Sequence, residues 1–190
     1  MGFSKIIGTP HTYPGIYNNS NESIYESFKK VSGTNIKLEY ASEYMIDDYL
    51  IYKAENKTIL CLKDNYVLVE MSFINAPSRL YEILFKVQLK GYIPVLAHPE
   101  RYMFFYDSID NFFKLKSAGC KFQLNLLSLT GFYGVKQKKL ADKLLENNLI
   151  NFVGSDIHNR NHIIEFEKRI RINNIKKLEK IIEANNFFED

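Results

Sequence analysis

The sequence predicts an α/β protein: a parallel sheet, open or rolled into a barrel, with helices covering it. Two observations carry this. Short apolar runs of strand length alternate with longer stretches of helical period along most of the chain, and strands joined by helical crossovers run parallel. Nearly every short run also ends in a polar residue able to bind metal. In an α/β barrel the carboxyl ends of the strands converge on one mouth, where active sites are built.

In chain order, residues 5–9 form a short apolar strand closed by Pro10-His11, and a Gly/Asn/Pro/Ser-rich loop follows over 13–21. Ser20 or Asn21 caps a helix to about Val31, with Ile24, Phe28 and Val31 at helical spacing. In 36–41, Ile36, Leu38 and Tyr40 alternate with polar residues, and this strand runs into Ser42-Glu43-Tyr44. A short helix is predicted over 47–56. Two strands, 58–62 and 66–69, flank the turn Lys63-Asp64-Asn65, and the second delivers Glu70. Pro77 opens a helix that Gly91 ends near Lys90. The run Val95-Leu96-Ala97, helped by Ile93, is a buried strand that Pro99 halts. A helix over 108–118, a strand over 121–124 delivering Asn125, and a helix over 136–148 come next. A strand over 150–153 leads to Asp156-Ile157-His158, and helices over about 163–172 and 175–184 close the chain.

At 190 residues the chain suits a single domain spanning 1–190. A hydrophobic fraction of 46% and a charged fraction of 25% are ordinary for a globular protein. A net charge of +3 with scattered Lys and Arg argues against nucleic acid as a partner. No run of about 18 apolar residues exists, so no membrane span is expected. Cys61 and Cys120 are too few for a disulfide framework and fit a reducing cytoplasm. Neither has an Arg six residues on, since Val67 and Leu126 stand there, which excludes the thiolate loop of cysteine phosphatases. Walker and dinucleotide-binding glycine patterns are absent too.

The chemistry therefore falls to imidazole and oxygen groups. Three of the four histidines, His11, His98 and His158, fall at strand ends with Glu43, Glu70 and Asp156. This collection points to a shared metal site. Without thiolates, these donors suit Mn²⁺, Fe or Zn²⁺. His98 suits a ligand or a general base, and Arg101, three residues on, suits a phosphate or a carboxylate. Several carboxylates can bridge two ions about 4 Å apart, an arrangement that polarises phosphate and activates water. Phosphate ester hydrolysis follows as the expected reaction, with Arg101 offsetting transition-state charge. Asn125 and Arg160 are weaker candidates for substrate contact. Glu39 competes with Glu43 for its role.

The segments Thr9-Pro10-His11, Ser42-Glu43-Tyr44, Leu68-Val69-Glu70-Met71, Ala97-His98-Pro99-Glu100-Arg101 and Gly154-Ser155-Asp156-Ile157-His158-Asn159 resemble the polymerase-and-histidinol-phosphatase (PHP) superfamily. The nearest branch is its bacterial capsule and exopolysaccharide tyrosine phosphatases of CpsB/CapC type, which Gln123-Leu124-Asn125 and Gly131-Phe132-Tyr133-Gly134 also resemble. The resemblance implies a distorted (β/α)7-type PHP barrel in a cytoplasmic, often homo-oligomeric protein. It implies a manganese-preferring site of roughly two to three ions, with fewer here. His11, Glu43, Glu70, His98, Asp156 and His158 would be the metal ligands. Arg101, His98 and Asp156 would be catalytic. A metal-activated hydroxide would attack phosphotyrosine on the tail of a bacterial tyrosine autokinase, with no covalent intermediate, and so regulate polysaccharide synthesis.

One departure stands out. The branch opens with a His-x-His strand, an Asp and a helix. This chain starts at Met1-Gly2-Phe3, with Gly2 resembling a helix C-terminal cap, as though truncated by about one β-α unit. Two further readings follow from that departure and from the breadth of the superfamily. One is a catalytically impaired, non-catalytic protein-binding module, and the other is a small-molecule phosphoesterase.

Overall fold

A computed structural model describes residues 3–31, 35–168 and 174–189. The cap at Gly2 and the end of the helix expected over 163–172 lie outside these residues. The chain divides into two compact units. The first comprises Gly2–Met71 and Pro77–Val95; the second comprises Ser72–Ala76 and Leu96–Asp190.

In the first unit, β1 (Lys5–Gly8) pairs in parallel with β3 (Lys37–Tyr40). Strand β2 (His11–Thr12) pairs in parallel with β4 (Glu43–Met45), and β4 in turn with β5 (Tyr66–Glu70). Helix α1 (Asn21–Lys29) starts at a capping box: the Ser20 hydroxyl accepts from Ser23 N, and Ser23 returns the contact to the cap. Helix α2 (Asp48–Glu55) is capped by Asp47, whose carboxylate accepts from Leu50 N at 3.0 Å. Helix α3 (Leu80–Leu89) buries Leu80, Ile83, Leu84 and Val87, a stripe at helical spacing. It starts three residues after Pro77, because the turn at Ser78-Arg79 intervenes. Strand β6 (Ile93–Ala97) starts in this unit and continues into the next.

The predicted strand over 58–62 does not form. Its backbone is committed elsewhere: Leu60 N donates to the Tyr44 hydroxyl at 2.9 Å, and Leu60 O accepts from Ser42 N at 3.3 Å. Only an isolated Lys63–Tyr66 bridge remains. Strands β2 and β4, by contrast, were hidden in the sequence as the tails of longer segments.

The second unit holds α4 (Asp110–Ser117), β7 (Lys121–Asn125), α5 (Val135–Glu146), β8 (Phe152–Gly154), α6 (Arg160–Phe166) and α7 (Ile175–Ala184). Strands β7 and β8 are parallel, with Gln123, Leu124 and Asn125 opposite Phe152, Val153 and Gly154. The β8 strand thus starts two residues later than expected and ends one residue later. Helix α6 begins earlier than expected because the Asn159 carboxamide caps it, accepting from Asn161 N and His162 N. Phe112, Phe122, Leu124, Leu140 and Leu144 pack the interior. The α/β class with parallel strands is as predicted. Among the described residues no helix is long and apolar enough to cross a membrane.

Leu84 is fully buried. Leu84→Ala is expected to destabilise the protein by about 2–5 kcal/mol through lost burial and a residual cavity, measured by urea denaturation.

Candidate active site

Three short parallel strands assemble the first group. His11 opens β2 and Glu43 opens β4, and the register sets them side by side. Glu70 closes β5 two residues beyond Leu68, the partner of Glu43, so strand alternation puts both carboxylates on one face. His11 Nδ1 lies 2.8 Å from Glu70 Oε1 and 3.4 Å from Glu43 Oε2. The polar frame behind them is tight. Thr12 and Ser42 share a hydroxyl hydrogen bond of 2.6 Å, Ser42 donates to Pro10 O, and Glu43 N donates to Pro10 O. The His11 ring stacks on Tyr17 with centroids 5.1 Å apart, and Asn19 donates to His11 O.

Glu43 and Glu70 are 4% and 6% exposed. Two buried carboxylates beside one imidazole leave excess negative charge even when the imidazole is protonated, and burial makes such excess costly. One ligand atom from each of the three residues lies within 4.8 Å of the others, close enough to share one metal ion. An oxygen-rich set with one imidazole suits Mn²⁺, Fe or Zn²⁺. The group therefore fits a divalent cation.

The second unit builds a different group around Arg101. Pro99 turns the chain after β6 into a 3₁₀ turn over Pro99–Arg101, with His98 at its start. Arg101 Nη1 donates to Asp156 Oδ2 at 3.0 Å, and Asn125 Nδ2 donates to the same oxygen at 3.0 Å. Asn125 Nδ2 also reaches the Tyr133 hydroxyl at 3.3 Å. The Arg101 guanidinium carbon lies 4.4 Å from the ring centroids of both Phe73 and Tyr133. Burial, together with the Asp156 carboxylate, pushes the Tyr133 phenol up.

His98 is buried against Phe73 and Tyr102, and its N–H donates to Gln123 O at 2.8 Å. His98 and Asp156 both adopt left-handed backbone, with φ of 36° and 47°. Non-glycine residues enter that region at a cost, and such strain concentrates where side chains must be aimed. His158 is exposed, with Nδ1 3.0 Å from Asp156 O and 3.3 Å from Asp156 Oδ1. His162, left out of the sequence-based site, is buried and accepts from His158 N at 3.2 Å. Arg160 is exposed at the start of α6, and the Arg101 hydrogen bond to Asp156 does not involve it.

Among the predicted residues, His11, Glu43 and Glu70 come together in one unit. Arg101, Asp156, Asn125 and His158 come together in the other, with His98 against Phe73. Glu39 is instead paired with Lys5 at 2.7 Å, which decides its competition with Glu43. Sequence reasoning missed Phe73, Tyr133 and Glu100. Glu100 is fully buried, and its Oε1 accepts from Ser128 Oγ at 2.6 Å and Asn125 N at 3.2 Å. Its Oε2 has no hydrogen-bond partner among the described residues. Burial raises its pKa to about 6, against the lowering effect of the Ser128 hydrogen bond. Glu100 was legible as part of the His98-Pro99-Glu100-Arg101 run, but nothing in the sequence marked it as buried.

The sequence profile of the family described as capsular polysaccharide synthesis, CpsB/CapC, matches residues 1–182. The tyrosine-protein phosphatase YwqE of Bacillus subtilis is 33% identical over 166 residues, covering 84% of this chain and 65% of YwqE. The putative tyrosine-protein phosphatase CapC of Staphylococcus aureus is 29% identical over 162 residues, 82% of this chain and 64% of CapC. Streptococcus pneumoniae CpsB, also a tyrosine-protein phosphatase, is 31% identical over 175 residues, 84% of this chain and 70% of CpsB. The chain thus spans just under two thirds of the length of the first two relatives. A crystal structure from a study of YwqE and CpsB, described as unique metal-dependent tyrosine phosphatases, superposes with a TM-score of 0.77 at 28% identity. That match covers 99% of this chain and 78% of the other.

The raised Glu100 pKa has a defined sign. A carboxyl with a folded pKa near 6 and an ordinary value of 4.5 holds its proton longer in the folded state. Its contribution is full below pH 4.5 and is lost as pH rises through about 6, about 2 kcal/mol in all. In metal-free protein, Glu100→Gln is expected to remove that decline, read as denaturation midpoints across this range.

Proposed function

We propose that this chain, which belongs to the capsular polysaccharide synthesis CpsB/CapC family, is a metal-dependent phosphatase acting on phosphotyrosine in protein. The observation that carries the reading is the buried group of His11, Glu43 and Glu70, two carboxylates and an imidazole whose charge a divalent cation would balance. Manganese is the ion we assign, with Fe and Zn²⁺ accepting the same donors. His98, Asp156 and His158 are assigned as further ligands. When bound, the metal supplies a Lewis acid and a water nucleophile available at neutral pH.

The chain's own residues divide the remaining work. Arg101 binds the phosphoryl oxygens, since a guanidinium offers several N–H donors and Asp156 accepts from Nη1. Asp156 and Asn125 hold Arg101 in place through a shared oxygen. Arg160, exposed at the start of α6, is assigned to substrate beyond the phosphoryl group. The tyrosine-phosphatase names of YwqE and CpsB support phosphotyrosine as the substrate. The tail of a bacterial tyrosine autokinase in polysaccharide synthesis is the protein we assign, in the cytoplasm. Tyr81, Phe85 and Leu89 are exposed on α3 at successive spacings of four residues, which supports assembly of copies of the chain.

Turnover of p-nitrophenyl phosphate and of a tyrosine-phosphorylated peptide in Mn²⁺ tests this reading. Arg101→Ala is expected to lower kcat/KM by about 10²–10³-fold, and Glu70→Gln to lower the bound metal measured by elemental analysis. A metal-free, inert protein that still binds the phosphopeptide would overturn the phosphatase reading in favour of a non-catalytic binding module.

A further inference from the structure

Asp156 alone does not fix the plane of Arg101. One hydrogen bond through Nη1 leaves the guanidinium free to rotate about that contact, and a phosphoryl group is matched only when the donor fork lies in a set plane. Two rings restrict that rotation. Phe73 follows β5 and Tyr133 precedes α5, and the guanidinium carbon lies 4.4 Å from each ring centroid. A planar cation against a ring face gains both electrostatic attraction and stacking.

Each ring is itself held. Phe73 packs on His98 and Tyr102, at centroid distances of 5.4 and 5.9 Å. Tyr133 meets Phe132 edge-on at 5.1 Å, and its hydroxyl lies 3.3 Å from Asn125 Nδ2. That Asn125 nitrogen also donates to the Asp156 oxygen that accepts from Arg101. Asn125 therefore ties the Tyr133 ring to the anchor of the guanidinium.

We propose that Phe73 and Tyr133 are positioning residues that set the plane of the Arg101 guanidinium for a phosphoryl group. The proposal rests on the reading of Arg101 as the phosphoryl-binding residue. Neither ring needs to touch substrate for this role. What matters is the flat π face, so an aliphatic side chain of similar bulk would pack but not orient.

The test uses the full chain with Mn²⁺ and reads the affinity for inorganic phosphate by isothermal titration, with the KM and kcat for p-nitrophenyl phosphate alongside. Phe73→Leu and Tyr133→Leu are expected to weaken phosphate binding by about 2- to 30-fold, with metal content unchanged. Phe73 is 47% exposed, so its leucine variant is expected to fold. Tyr133→Phe keeps the ring but drops its contact to Asn125, and is expected to lose less phosphate affinity than Tyr133→Leu. Arg101→Ala separates the two claims. If it weakens phosphate binding but both leucine variants do not, the positioning role is overturned and the reading of Arg101 stands. The role is likewise overturned if Tyr133→Phe loses as much affinity as Tyr133→Leu. If Arg101→Ala leaves phosphate affinity unchanged, the reading of Arg101 falls, and the positioning role with it.

Discussion

Glu43 and Glu70 approach one imidazole in a nearly water-free setting, and this imbalance of charge constrains everything built around it. An unpaired carboxylate would leave such a position or take up a proton. Both are held there by the parallel ladder β2-β4-β5, whose register fixes where each side chain starts. The hydroxyl contacts of Thr12 and Ser42 and the Pro10 carbonyl lock the strand entrances, so the donors cannot easily spread apart. Rigid scaffolding behind a small set of ligands is what a metal centre needs, because affinity depends on donors already in place.

The second unit meets the opposite problem, a cation that must be aimed. Asp156 is delivered just after β8 in left-handed backbone, and its Oδ2 accepts from both Arg101 and Asn125. Glu100, the neighbour of Arg101, is buried beneath Asn125 and Ser128 and ties the Pro99–Arg101 turn to the end of β7. Adjacent residues of one short motif, Glu100 and Arg101, thus divide into an inward anchor and a working group.

Much of this was legible in the residues. Apolar runs marked β5, β6 and β7, and the polar residue ending each run marked Glu70, His98 and Asn125. Strands β2 and β4 were not legible as strands, because two or three residues are too few to show alternation, yet His11 and Glu43 stood out by chemistry. The failure at 58–62 came from a competitor that no local pattern shows: a hydroxyl sixteen residues upstream, on Tyr44, takes the Leu60 N–H. Phe73 and Tyr133 escaped for a related reason. Each looks like an ordinary loop aromatic until the fold brings it against Arg101. The burial of Glu100 was equally silent, since charged residues in turns normally face water.

Anomalous diffraction from crystals grown with Mn²⁺ addresses the charge-balance claim most directly. The expected result is a manganese peak within bonding distance of His11, Glu43 and Glu70, roughly 2.0–2.3 Å from their ligand atoms. Contradiction would be a map with no peak there at saturating Mn²⁺ and the three side chains closed on one another.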